Sequence, residues 1–152
     1  MTRRRRSAAL ALAAILAATL VASGCSGGGG STVAVSAGPT AAAAPASGAK
    51  IAPADFAAAL KRPGTTIVDV RTPQEYAQGH LPGAVNMDVS SPDFAAQIAT
   101  LDPRAPYAVY RHSGNRSGVA VAAMADQGFT NTYHLDGGIT AWQQAGGEVV
   151  TG

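Results

Sequence analysis

Three regimes of hydrophobic and polar positions follow one another along this chain. From Ala8 to Ala22 no side chain is charged. Residues 26 to about 50 are mostly Gly, Ser, Ala, Thr and Val, with no periodic apolar face. From Ile51 onward apolar blocks recur, and their spacing shifts between that of a strand and that of a helix. Pro53 to Leu60 places Phe56 and Leu60 on one side of a short helix. Thr65 to Val70 is a β-branched run of strand length, apolar without clean alternation, as an interior parallel strand requires. Thr72-Pro73-Gln74-Glu75 combines an N-cap threonine, a proline in the first helical position and a glutamate at the third, so a helix starts there and stops near Gly79.

The second half repeats the alternation. Ala84 to Met87 is a short strand, and Ser91-Pro92 opens a helix through Ile98. Tyr107 to Tyr110 is a buried strand, and Ser117 to Gln127 is a helix ended by Gly128. Asn131 to His134 is a strand, Gly137-Gly138 a turn, and Ile139 to Gln144 a last helix carrying Trp142. Strands separated by helices predict an α/β domain with a largely parallel sheet covered on both faces. The segment 51–152 is long enough for one domain with one core.

The N-terminal regimes change the picture of where this domain works. Arg3 to Arg6 precedes the uncharged run, which ends at Ala22-Ser23-Gly24-Cys25. A basic start, a short apolar stretch and small residues describe a secretory signal peptide over 1–24, and the run is short for the ~20 residues of a permanent span. Val21 to Cys25 resembles the bacterial lipoprotein box, with Ala22 where leucine is more usual; an ordinary signal peptide with an incidental cysteine is the other reading. In the lipoprotein reading Cys25 is lipidated and anchors the protein to the outer face of the cell membrane, and residues 25–50 form a flexible linker. As a Gly/Ala/Ser coil that linker reaches about 25–30 Å. The Sec and twin-arginine routes both stay open. The formal charge of +2 loses its meaning once Arg3 to Arg6 are set aside, because seven basic residues then face nine acidic ones. No basic face is left for nucleic acid.

One loop carries the candidate chemistry. Arg111-His112-Ser113-Gly114-Asn115-Arg116-Ser117 joins a buried strand to a helix, a place where inward-facing N–H groups and a helix N-terminus hold an anion. Asp69-Val70-Arg71, Glu75-Tyr76 and Gly79-His80-Leu81-Pro82-Gly83-Ala84 resemble the opening half of a rhodanese domain. Ser113 to Ser117, Gly128-Phe129 and Leu135 to Trp142 resemble its second half, in the expected order. The resemblance implies a mostly parallel five-stranded sheet with helices on both faces. It also implies a sulfurtransferase whose loop opens with a nucleophilic cysteine that carries sulfane sulfur as a persulfide. Here the cysteine position is Arg111, the second loop position is His112, and the closing arginine is Arg116.

Without that sulfur the covalent step has no carrier, since a serine oxygen cannot replace it. The expectation is a domain that binds a small oxyanion, a thiosulfonate or an acidic protein group through the loop, with Asp69 and Arg71 as loop support. Two readings stand beside it: an active sulfurtransferase working by a non-standard route, and a pure interaction module with a relic loop. Phosphatases of this architecture also need the cysteine and use a longer loop. Asp69 and Arg71 are equally read as a plain structural ion pair, His80 as a backbone-bonding turn residue, and Phe129 and Trp142 as core. His80, His112 and His134 show no ligand spacing, so neither a metal nor a cofactor is expected.

Overall fold

The computed structural model describes residues 39–113 and 117–152. The expected signal peptide, Cys25 and most of the expected linker therefore lie outside the described residues, as do Gly114, Asn115 and Arg116. Five strands, β1 (Ala49–Ile51), β2 (Thr66–Asp69), β3 (Val85–Asn86), β4 (Tyr107–Tyr110) and β5 (Thr132–Leu135), form one sheet in the order β1-β5-β4-β2-β3. Every pairing among them is parallel. Five helices connect and cover them: α1 (Pro53–Leu60), α2 (Pro73–Gln78), α3 (Phe94–Ile98), α4 (Ser117–Asp126) and α5 (Gly138–Gln144). No helix among the described residues is long and apolar enough to cross a membrane.

The central strand shows how the sequence sets the two layers. All four residues of β4 are buried, and the strand period sends them alternately to opposite faces. Ala108 and Tyr110 join Phe56, Leu81, Tyr133, Leu135 and Trp142 on the face of α1 and α5. Tyr107 and Val109 join Val68, Val70, Phe94, Ile98, Met124 and Phe129 on the face of α3 and α4. Phe56 meets both Tyr133 and Trp142 edge to face, at 5.9 and 6.2 Å between ring centres. Trp142 also donates from Nε1 to the Glu148 carbonyl at 2.8 Å, which satisfies its one polar group.

Local signals held where the chemistry was local. Thr72 and Glu75 make the anticipated capping box of α2, with Glu75 N–H donating to Thr72 Oγ1 and Thr72 N–H donating to Glu75 Oε2. Several boundaries differ, most by a single residue. α3 begins at Phe94 rather than at Ser91, because Ser91 to Asp93 are spent on a turn closed by Phe94 N–H to the Ser91 carbonyl at 3.1 Å. β3 is only Val85–Asn86, an exposed edge. The expected linker end at residue 50 overlaps β1, since Ala49–Ile51 pairs with Tyr133–Leu135. Upstream of that strand, Ala41 N–H already donates to the Ala58 carbonyl of α1 at 2.9 Å.

The strand order also locates a crevice. From β2 the chain leaves through α2 to β3 on one side of the sheet, and from β4 it leaves through α4 to β5 on the other. Adjacent parallel strands whose continuations diverge leave an opening beyond their carboxyl ends. Arg71 follows β2 and Arg111 follows β4, so both fall at that opening.

Candidate functional site

Beyond the ends of β2 and β4 lies a cavity of ≈ 320 Å³ lined by Arg71, Glu75, Gln78 and Gly79 from the α2 side, His112 from the loop, and Ile139 and Gln143 from α5. Its floor is set by an ion pair. Asp69 is 0% and Arg71 5% exposed, and Arg71 grips the carboxylate through Nε at 2.9 and 3.0 Å and through Nη2 at 2.5 Å. The Arg71 backbone N–H adds a further bond to Asp69 Oδ1 at 3.0 Å, so both ends of the residue are held.

The pair is built into the turn around it. Arg71 Nη2 also donates to the Gly79 carbonyl at 2.6 Å, and its guanidinium lies over the Tyr110 ring at 5.6 Å. Tyr110 Oη accepts from Leu81 N–H at 3.0 Å. Asn86 of β3 donates to the Asp69 and Arg71 carbonyls at 3.1 and 2.8 Å, strapping the strand end. Burial works against the Arg71 charge, and Asp69 with Tyr110 more than offsets it, so the guanidinium titrates above its ordinary value. Burial, reinforced by the Asp69 charge, pushes the Tyr110 hydroxyl far above the usual phenol range. Glu75 sits at the cavity wall, half-buried. Burial would raise its pKa, but the Thr72 hydrogen bonds, Arg71 and His112 together hold it below the usual carboxylate range.

The expected loop splits into an anchored entry, a stretch outside the described residues, and an anchored exit. At the entry the main chain is held by α5: Ile139 N–H donates to the Arg111 carbonyl at 2.7 Å, and Thr140 donates to the His112 carbonyl through N–H at 3.2 Å and Oγ1 at 3.0 Å. Only glycine fits where α5 starts. A Cβ on Gly138, whose φ is +60°, would lie 2.2 Å from the Arg111 oxygen. On the loop side these bonds take backbone atoms alone. The Arg111 side chain is half-buried, while His112 and Ser113 are exposed and lie 3.5 Å apart at Nδ1 and Oγ. At the exit Ser117 is 1% exposed, and its Oγ is 2.7 Å from His134 Nδ1 on β5. Burial, then the nearby Lys50, holds the His134 pKa below its ordinary value, with Asp136 pulling the other way.

Arg71 and His112 thus come together at one cavity, with Asp69 buried behind Arg71, whereas Ser117 turns its hydroxyl to His134. Gly114, Asn115 and Arg116 lie outside the described residues. His80 bonds backbone as read, with Nδ1 3.0 Å from the Tyr76 carbonyl and its ring stacked on Tyr76 at 3.8 Å. Sequence reasoning missed Asn86, Tyr110, His134, Gly138 and Thr140 as supports. Of these only the Gly137-Gly138 pair carried a visible signal. Chemically, the cavity combines a buried cation already balanced by Asp69, one carboxylate, two amides and an exposed imidazole. A net positive field for an anion has to come from the loop side chains.

The comparisons agree on what the chain is similar to. The rhodanese-like domain family model matches residues 52–145. A thiosulfate sulfurtransferase GlpE of Pseudomonas entomophila is 42% identical over 87 residues, covering 57% of this chain and 78% of the relative. A second thiosulfate sulfurtransferase GlpE, from Pseudomonas paraeruginosa, is 42% identical over 95 residues, covering 62% and 83%. The crystal structure of a rhodanese-related protein from Thermoplasma volcanium superposes with a TM-score of 0.61 at 31% identity, covering 68% of this chain and 99% of that one.

Proposed function

Because the chain belongs to the rhodanese-like domain family, we propose that it is a membrane-tethered, extracytoplasmic member that grips an anion through loop 111–117 and transfers no sulfur. The observation that carries this reading is the residue that opens the loop: Arg111 follows β4, directly before His112 of the cavity wall, and the sequence holds a single cysteine, Cys25. Sulfur transfer by a persulfide needs a thiolate that forms and then breaks an S–S bond. Arginine, histidine and serine supply none. What the entry does supply is a guanidinium with five donors and an imidazole on a main chain fixed by α5. A planar fork of that kind suits sulfate, thiosulfate, phosphate, a thiosulfonate or a partner's carboxylate, in bidentate contact. Lipidation of Cys25 would hold the domain at the outer face of the membrane, and acyl chains at about 0.8 kcal/mol per buried methylene make such an anchor stable.

Two measurements test the reading. Thiosulfate-to-cyanide transfer is expected to be absent from the chain as it stands and to appear in Arg111→Cys, since the Asp69–Arg71 pair and the α5 contacts to the loop entry are in place. Transfer by the unchanged chain with every thiol blocked would overturn it. Calorimetric titration with thiosulfate, sulfate and phosphate is expected to saturate, and Arg111→Glu to abolish the signal. No heat with any of the three would leave an acidic protein partner as the ligand, captured by the unchanged chain and lost with Arg111→Glu.

A further inference from the structure

The peptide unit that joins Gly79 to His80 is held from two opposite directions. Its carbonyl, on Gly79, accepts from Arg71 Nη2 at 2.6 Å. Its N–H, on His80, donates to the Val150 carbonyl at 2.8 Å, and Val150 N–H returns a bond to the His80 carbonyl at 2.9 Å, which makes an antiparallel bridge. A peptide is planar, and in its trans form C=O and N–H point in opposite directions, so a partner that fixes one fixes the aim of the other. Val150 belongs to a segment beyond α5 that the family match, 52–145, leaves out. We propose that residues 147–150 are a latch on the cavity. Closed, it aims the Gly79 carbonyl at Arg71 and keeps the guanidinium buried; released, it frees that wall and uncovers the charge.

The latch is seated by contacts that belong to its own sequence. Gly147 N–H donates to the Trp142 carbonyl at 2.9 Å, and a Cβ on Gly147 would lie 2.3 Å from the indole, so the chain turns back flat against that ring. The Glu148 carbonyl then accepts from Trp142 Nε1 at 2.8 Å. Val149 packs against the core layer of α1 and α5, and its Cγ1 lies 2.9 Å from where a Gly79 Cβ would stand. Glycine at 79 is what lets the two segments meet. The other supports of this turn act on either side of the peptide. Gly79 N–H and His80 Nδ1 both bond the Tyr76 carbonyl, and Leu81 N–H donates to Tyr110 Oη. None of these bonds takes the Gly79 carbonyl or the His80 N–H, so among the described residues Arg71 and Val150 set the plane between them. A single bridge is a small closed unit, of the kind that opens locally without global unfolding. Gly79 and Arg71 both line the cavity, so an open latch changes its wall and its charge together.

Phenylglyoxal labelling of guanidinium groups, read by mass spectrometry on the full chain, tests this, with the exposed Arg104 as internal reference. In the unchanged chain Arg71, 5% exposed, is expected to label slowly. Val149→Asp puts a charge where Val149 packs, and is expected to raise Arg71 labelling about fivefold or more at unchanged Arg104 labelling. Val150→Pro removes one bond of the bridge and is expected to give a smaller rise. Val150→Ala keeps both bonds and is expected to stay within about twofold of the unchanged chain. Amide exchange followed by NMR separates latch from fold: His80 N–H is expected to exchange faster in Val149→Asp and Val150→Pro, while Val109 N–H in β4 stays protected. Arg71 labelling that stays slow while His80 exchanges faster would overturn the proposal. So would labelling that rises, in both variants, only in step with Val109 exchange, since that is loss of the fold. A His80 N–H already unprotected in the unchanged chain would overturn it as well.

Discussion

Replacing Asp69 with asparagine keeps the size of the side chain and one acceptor but removes the carboxylate that Arg71 grips. The guanidinium is left at 5% exposure with the Gly79 carbonyl and the face of Tyr110 as its remaining company. A buried charge stripped of its partner costs about 3–5 kcal/mol, which in a domain of this size lowers the melting temperature by about 12–20 °C. The double replacement Asp69→Leu with Arg71→Met removes both charges together and is expected to fall within about 1–2 kcal/mol of the unchanged chain. Urea unfolding followed by circular dichroism measures both. Anion titration then separates fold from site, since the double variant keeps its stability and loses the guanidinium at the cavity floor. A single variant that loses less than about 1 kcal/mol would refute the reasoning, because it would mean that water reaches Arg71 in the folded chain.

Two further outcomes follow from the same geometry. Gly138→Ala forces a Cβ onto the Arg111 carbonyl in a left-handed backbone, and a loss of at least about 2 kcal/mol of unfolding free energy in urea is expected, with weaker sulfate binding by calorimetry. For pH, a histidine whose folded pKa is depressed contributes stability that is complete above the unfolded pKa, ~6.5, and declines as pH falls below it. His134 is such a group, so without added anion the urea midpoint is expected to drop between pH 7 and pH 5. His134→Asn is expected to flatten that decline, and an unchanged slope would assign it elsewhere.

How much of this was readable in the chain depends on how far apart the partners lie. The Thr72 and Glu75 cap, the buried run of β4 and the aromatic core residues Phe56, Phe129 and Trp142 were legible, because propensity and period act within a few residues. β1 was not. Its three residues sit in an Ala- and Gly-rich stretch, and only the pairing with Tyr133 to Leu135 makes them a strand. Asp69 and Arg71 were close enough in sequence to be paired on paper, yet their depth depends on α2, β3 and Tyr110 arriving from elsewhere. Ser117 and His134 are brought together only by the parallel crossover through α4. The grip of α5 on Arg111 involves a carbonyl oxygen, which every residue has, so no side-chain pattern could announce it.

That grip has a consequence for descent. Since the entrance to the loop is fastened through oxygens common to all amino acids, the architecture is indifferent to which side chain stands at 111. A lineage can exchange a reactive atom for a cationic one there, or reverse the exchange, without first reinventing its scaffold. Chemistry and shape are inherited on separate threads.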